Sequence, residues 1–204
     1  MSSTTTITLY HSPNTRAVRV AFLLEELGVE YTRHPVDLQA KQNRTDEYLA
    51  IHPHGLVPAL QHGDVVMFEH LAICLYLADR FPAAGLAPAI DATERGPYMQ
   101  WSVYAIVTLE PSLGNIYVQG LQPPDQRDET ALAAAKARLR ECCEVLGRAL
   151  GDKPYLLGDR LTTPDILIGH LLLFARALGV LAGPRELEEY TERVGARPAL
   201  QRAM

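Results

Sequence analysis

Along the first eighty residues the apolar positions change period several times, and each change marks an element. Ile7-Thr8-Leu9-Tyr10 reads as a short strand, and Ser12-Pro13-Asn14-Thr15 as a turn and helix-start signal. Behind it Val20, Leu23, Leu24 and Leu27 recur at helical spacing, with Gly28 as the stop. Residues 29–36 return to strand character, so the chain opens strand–helix–strand, the unit that makes a parallel pair. Residues 41–50 are polar and predict a short helix or loop, and His52-Pro53-His54-Gly55 predicts a turn. Residues 57–60 and 65–68 flank Gln61-His62-Gly63-Asp64 and predict a hairpin. An amphipathic helix over 69–80 follows, ended by Phe81-Pro82. Residues 82–91, rich in Pro, Ala and Gly, read as a linker. Beyond it no segment reads as a strand. Helices are predicted at 93–119, 127–150, 164–178 and 184–193. In the second of these Leu132, Ala135, Leu139, Cys142 and Leu146 form one core-facing stripe.

Val57-Pro58-Ala59-Leu60 puts a proline inside an apolar strand. Proline cannot donate to a sheet ladder, so Pro58 belongs at an edge, a strand start or a bulge. If the Val57–Pro58 bond is cis, the chain reverses there and the Val57 N–H and C=O face outward. An extended peptide could then pair with them as an added strand. Glu69 opens the next helix at the far end of such a ligand. A free strand edge followed by an acid at a helix start suits a small peptide with an amino group and carboxylates.

At 204 residues the chain is one large domain or two small ones, and its 48% hydrophobic content supplies a sizeable core. No apolar run approaches the ~18–20 residues of a membrane span. The stretch Met1-Ser2-Ser3-Thr4-Thr5-Thr6 has neither a basic patch nor a signal-peptide core, so a cytoplasmic protein without a membrane partner is expected. The net charge of −5, the pI near 5.8 and the lack of a basic cluster argue against nucleic acid as a partner. Cys74, Cys142 and Cys143 contain no C-x-x-C pair, which argues against a disulfide scaffold and against dithiol redox chemistry. The adjacent Cys142 and Cys143 read as small apolar residues. His52, His54 and His62 lack the ligand set of a metal site and read as loop histidines, so no metal is expected.

The order β-α-β, connection, β-β-α, then helices alone describes an α/β thioredoxin-like half (1–82), a linker (83–91) and an all-α half (92–204). This arrangement resembles the cytosolic glutathione S-transferases over essentially the whole chain. Several segments carry the resemblance: residues 9–16, Leu24-Glu25-Glu26-Leu27-Gly28, residues 52–60, residues 69–77, and Gly158-Asp159-Arg160-Leu161-Thr162-Thr163-Pro164-Asp165-Ile166. Each is weak alone, and their order and spacing give the match its force.

The resemblance implies that glutathione is the co-substrate and that Ser12, at the start of the first helix, donates to its thiolate. The reading of the residues alone makes Ser12 a helix cap. Tyr10, Asn14 and Thr15 are rivals for the thiol, since other branches of the family use those places. Ser12-Pro13-Asn14-Thr15 also occupies the place of the Cys-Pro-x-Cys of glutaredoxins, and with serine at its first position it has no thiol there for exchange. By the same resemblance, Val57, followed by Pro58, offers its backbone to the cysteinyl part, Glu69 takes the γ-glutamyl ammonium, and Lys41 reaches the glycine carboxylate. His70 departs from the family, which carries Ser or Thr there, and reads equally as a ligand contact or a surface histidine. Leu56 replaces a polar contact. Tyr98, Trp101, Ala105 and Thr108 share a helix face that would line the pocket for an apolar electrophile, or else belong to the core. Thr162 and Asp165 form a capping box with Pro164 in the first turn, a folding device. The family implies a two-fold homodimer. A binding protein without turnover, or disulfide or peroxide reduction, dehalogenation or isomerisation with glutathione, are the alternatives.

Overall fold

A computed structural model describes residues 6–204. Residues 1–5, part of the opening Ser/Thr stretch read above, lie outside the described residues. The chain forms two units. One runs to Gly85 and takes up Arg197–Met204, and the other is Leu86–Ala196.

In the first unit β1 (Ile7–His11), β2 (Thr32–Pro35), β3 (Ala59–His62) and β4 (Val65–Phe68) make one sheet in the order β2-β1-β3-β4. β1 and β2 run parallel, and the other two pairs run antiparallel. Parallel neighbours require a crossover, which α1 (Ala17–Leu27) provides. Ile7 and Leu9 are buried on β1, and α1 brings Val20, Phe22, Leu23 and Leu24 to the same core. Gly28 ends α1 in the left-handed region, at φ 65°. The polar segment forms a short 3-10 turn, Gln42–Arg44, followed by α2 (Asp46–Leu49), whose first turn is capped by the Thr45 hydroxyl. α3 (His70–Arg80) packs on α1 through a face that includes the fully buried Ile73, Cys74 and Leu77. The hairpin differs from the expectation. Its first strand is Ala59–His62 rather than 57–60, with His62 paired to both Ile7 and Val65. Pro58 has no N–H to give to a ladder, so pairing begins after it.

The second unit is helical, and among the described residues its one β feature is the bridge between Tyr155 and Gly158. The continuous helix expected over 93–119 is three segments: α4 (Arg95–Tyr104), a π-helical turn (Ala105–Leu109) and α5 (Glu110–Leu121). Pro111 explains the interruption. It lacks the N–H that would reach the Val107 carbonyl, and its ring crowds that oxygen, so the ladder widens just before it. α6 (Glu129–Leu150) buries Ala135, Leu139, Cys142 and Leu146, while Leu132 at the top of the stripe is half-buried. α7 (Thr163–Ala177) opens with the expected capping box. The Thr162 N–H and hydroxyl donate to Asp165 Oδ2 at 2.8 and 2.7 Å, and Leu156 N–H and the Tyr190 hydroxyl donate to Oδ1 at 2.9 and 3.0 Å. Tyr190 comes from α8 (Arg185–Gly195).

The sequence reading stops its helices at 193 and gives everything after residue 91 to the helical half. Instead, a ninth helix, α9 (Pro198–Ala203), packs on α1. Ala199, Leu200 and Ala203 are buried. Arg197 grips both carboxylate oxygens of Glu26, Nη2 lying 2.7 Å from Oε2 and Nε bonding Oε1. Arg202 donates to Glu25 Oε2 at 2.6 Å, and Arg33 donates to the Arg202 carbonyl at 2.6 Å. The segment's charges thus answer two acids of α1, which explains why it joins the first unit.

Burial alone would raise the Glu25 pKa, but hydrogen bonds from Arg202 and Tyr31, with the Arg202 and Arg33 charges, hold it below the ordinary glutamate value. A carboxylate depressed in the folded state contributes stability that is present above its unfolded pKa and is lost as pH falls through the folded one. Urea melts of the native chain and Glu25→Gln from neutral pH to about pH 3 should therefore show a stability gap that is widest near neutrality and closes on acidification. A gap that does not vary with pH would contradict this account.

Candidate functional site

The segment leading into β3 is held by its backbone oxygens. Arg44 donates to the His54 carbonyl at 3.1 Å, Asn43 to the Gly55 carbonyl at 2.7 Å, and the Tyr48 hydroxyl to the Leu56 carbonyl at 2.6 Å. Three consecutive carbonyls are thus tied to side chains of residues 43–48. Burial, with Tyr10 nearby, pushes the Tyr48 phenol up to about 12, so it stays protonated and able to donate at neutral pH. Gly55 lies at φ 59°, and a Cβ there would overlap the Asn43 carbonyl oxygen and crowd the Arg44 guanidinium, so no other residue fits. The Val57–Pro58 bond is cis. Among the described residues neither Val57 N–H nor Val57 C=O takes part in a backbone hydrogen bond.

The sheet register brings the candidates to one end. Tyr10 pairs with Ala59, and Ala59 pairs with Phe68. The pairing ends there, so Ser12 follows β1 two residues after Tyr10, Val57 precedes β3 by two residues and Glu69 follows Phe68 directly, all at the same end of the sheet. Ser12 is half-buried at the end of β1, and its hydroxyl makes no hydrogen bond among the described residues. It lines, with Tyr10, His34, Val36, Tyr48 and Ile51, an open cleft of about 1080 Å³.

Ser12 does not cap the first helix. The N-cap is Arg16, and α1 starts at Ala17. The capping work falls to Thr15, whose hydroxyl donates to the Ser12 carbonyl at 2.6 Å and accepts from Ala17 N–H at 3.3 Å. The Thr15 hydroxyl is therefore committed to the turn. Tyr10 makes a long hydrogen bond to Gln61 at 3.4 Å, with its ring against His34 at 4.9 Å. Asn14 is exposed in the left-handed region, at φ 56°.

Glu69 is exposed and caps α3 by position only, without a side-chain hydrogen bond to the helix. Its φ of 70° is uncommon for a residue with a side chain, and such conformations cluster at functional sites. His70 is no surface histidine. It retains 5% of its accessible surface, and its Nε2 lies 2.9 Å from Nη1 of Arg19, itself 4% exposed. The sequence offers one clue to Arg19, a charge inside the apolar stripe of α1. Lys41 is exposed at φ 57° and makes no ion pair among the described residues. Leu56 is 55% exposed.

The face offered for a second pocket divides. Tyr98 and Ala105 have 0% accessibility, and Tyr98 donates to the Thr163 hydroxyl at 3.1 Å. Both are core residues and cannot line a pocket. Trp101, edge-on to Tyr104 at 5.1 Å, and Thr108 are half-buried. The loop-histidine reading holds for His52 and His54 and is corrected for His62. His62 lies in β3 with its Nδ1 2.9 Å from the Tyr76 hydroxyl, and His52 is buried against Phe68 at 4.9 Å. Burial lowers the His52 pKa against the pull of Glu69. Among the described residues no group of His, Cys, Asp or Glu is arranged to hold a metal ion, and no helix is long and apolar enough to cross a membrane.

A mixed four-stranded sheet with a cis-proline strand entry, joined in sequence to an all-helical unit, defines a thioredoxin-fold protein with a helical second half. Residues 5–79 match the family model for the glutathione S-transferase N-terminal domain, and residues 109–198 match its C-terminal domain. Glutathione S-transferase 3 of Zea mays is 30% identical over 203 residues, covering 95% of this chain and 89% of its own. The glutathione S-transferase GstA of Escherichia coli O157:H7 is 28% identical over 199 residues, 96% of each chain. Among solved structures, a ternary complex of BphK, a bacterial GST, is 31% identical over 96% of each chain with a TM-score of 0.83. The chain belongs to the glutathione S-transferase family.

All three cysteines are buried. Burial pushes the Cys74 thiol up to about 12 and the Cys143 thiol up to about 11. A thiol reagent such as Ellman's should therefore label no cysteine in the native protein and all three once it is unfolded. Rapid labelling of the native chain would refute this. Tyr48→Phe removes the bond to the Leu56 carbonyl and should cost about 1–2 kcal/mol in denaturant unfolding; an unchanged midpoint would show that this contact does not hold the segment.

Proposed function

We propose that this chain is a glutathione transferase. It binds glutathione on its first unit, ionises the thiol at Ser12 and adds it to an apolar electrophile, acting in the cytoplasm as a two-fold homodimer. The observation that carries the reading is that Ser12, whose hydroxyl makes no hydrogen bond among the described residues, stands at the same end of the sheet as the Val57 backbone, which enters no backbone hydrogen bond there. A peptide pairing with Val57 as an added strand would bring its central residue toward Ser12. For glutathione that residue is the cysteine.

The chemistry follows from the thiol. A free cysteine-type thiol ionises near 8.5, and each unit of lowering needs about 1.4 kcal/mol. One hydrogen bond donated by Ser12 to the thiolate supplies that order of energy. The thiolate is the nucleophile, attacking an electrophilic carbon and displacing a leaving group or adding across an activated bond. The protein's own buried thiols are unsuited to that role, which leaves the ligand's sulfur as the reacting one. Glu69 is assigned to the ligand ammonium, Lys41 to the glycine carboxylate, and Trp101 and Thr108 to the electrophile. The exposed Val65, Val66 and Phe68 on β4 support pairing with a second copy, since apolar surface of this kind marks interaction sites. The exposed Leu56 favours a second reading, a glutathione-binding protein without turnover, because it removes a polar anchor from the ligand.

Ultraviolet titration of the thiolate of bound glutathione tests the assignment. The native complex should ionise at least about one unit below the free thiol, and Ser12→Ala should return most of that shift. Retention of the shift would move the role to Asn14, Tyr10 or Thr15. Binding and ionisation without turnover of an activated aryl halide would favour the second reading.

A further inference from the structure

Ser112 on α5 keeps 4% of its accessible surface, and its hydroxyl makes no hydrogen bond among the described residues. Two other hydroxyls buried within helices of the same unit behave differently. Ser102 donates to the Tyr98 carbonyl at 2.8 Å and Thr191 to the Leu187 carbonyl at 2.7 Å, the usual outlet for a hydroxyl inside a helix. The equivalent carbonyl for Ser112 is that of Thr108, which takes the Cys142 thiol at 3.9 Å instead. No enclosed side-chain oxygen lacks a partner among the described residues, so the Ser112 oxygen is not sealed in. It opens on a groove of about 490 Å³ that Ser112 lines, between α6 and the π turn with α5. A serine so placed costs stability that an alanine would not, unless something entering the groove bonds to it.

The two walls of the groove differ in kind. Thr108, Ser112 and Asn115 stand at intervals of four and three along one wall, and none of these side chains makes a hydrogen bond among the described residues. Ala131, Ala135 and Arg138 repeat that spacing on α6, two small apolar residues and then a guanidinium. The Gln119 side chain accepts from Asp128 N–H at 2.9 Å while Cys142 reaches Thr108, so the helices run antiparallel and Arg138 stands toward the Thr108 end of the row. Arg138 gives Nη1 to Glu141 at 3.0 Å in an exposed pair of little worth, which leaves its other donors available. A row of hydroxyl and amide groups over a floor of small residues, with a cation at one end, fits a slim apolar body that carries a carboxylate. We propose that this groove is a second binding site, drawing on none of the first unit's residues, for a small organic carboxylate. Arg138 and the Ser112 hydroxyl hold the carboxylate, and the apolar part lies along Ala131 and Ala135. Thr108, given above to the electrophile, borders the groove without being needed for this recognition. The inference is independent of the glutathione reading.

An NMR titration of the full-length protein with benzoate, and with benzamide as its uncharged counterpart, tests this. Benzoate should give saturable amide shifts confined to residues 107–115 and 131–138. It should bind about tenfold or more tightly than benzamide, the difference expected for a hydrogen bond to a charged group. Arg138→Gln, at an exposed position where the fold is not at risk, should bring the two affinities close to equality. Ser112→Ala should weaken benzoate by about fivefold while leaving the fold intact. Shifts that do not saturate, equal affinity of the native protein for the two probes, or a preference untouched by Arg138→Gln would overturn the proposal and leave Ser112 to water alone. Displacement of benzoate by an activated aryl halide would overturn it too, by making the groove the electrophile's own pocket.

Discussion

The carbonyl oxygens of His54, Gly55 and Leu56 each receive a hydrogen bond from a side chain of residues 43–48. Each such bond has a net worth of about 1 kcal/mol, and a buried carbonyl left without a partner would cost more than that. Together they decide where the chain stands when it turns into β3. Val57 comes next, and among the described residues its two backbone groups enter no backbone hydrogen bond. The alignment of the candidate site therefore depends on a peptide segment being immobilised, and the register of β1, β3 and β4 carries that alignment as far as Tyr10 and Phe68, the strand residues nearest Ser12 and Glu69. The packing side of the same constraint is Gly55, whose missing side chain lets the segment lie against Asn43 and Arg44.

Among the described residues, no buried side-chain nitrogen or oxygen lacks a partner. Two buried charged groups reach that condition differently. Asp165 is surrounded by four donors from its own unit, so its negative charge is spent on fixing the start of α7. Arg19 gives a hydrogen bond to a neutral ring at the end of the sheet where the open backbone of Val57 lies. A carboxylate enclosed by donors is a folding element.

The strands and long helices were legible because burial leaves a periodic trace: Ile7 and Leu9 on β1, Val20, Leu23 and Leu24 on α1, and Leu139, Cys142 and Leu146 on α6. The capping box was legible because its residue types and spacing are themselves the mechanism. The reading failed where the determinant was a missing donor or a long-range partner. Pro58 and Pro111 remove N–H groups, and their effects, a strand start displaced by two residues and a π turn, appear in the neighbours rather than at the prolines. The burial of His70 was not legible, and it read equally as a ligand contact or a surface histidine, because its partner, Arg19, stands fifty-one positions earlier in the chain. Tyr98 and Ala105 sat on the expected face, but helical spacing cannot say whether a face meets a pocket or another helix. Asn43, Arg44 and Tyr48 went unremarked for a related reason: their targets are backbone oxygens, which have no sequence signature.

The closure of α9 on α1 has a consequence for biosynthesis. Domains generally fold as units while the chain is being made, the amino-terminal one first. Here the acids Glu25 and Glu26 emerge from the ribosome among the first thirty residues, and their arginine partners at 197 and 202 emerge about 170 residues later. The first unit must persist through synthesis of the whole helical unit with one flank of α1 open to water. A nascent chain paused in the second half would carry an unfinished first half, and completion of the oldest part of the protein waits for its newest residues.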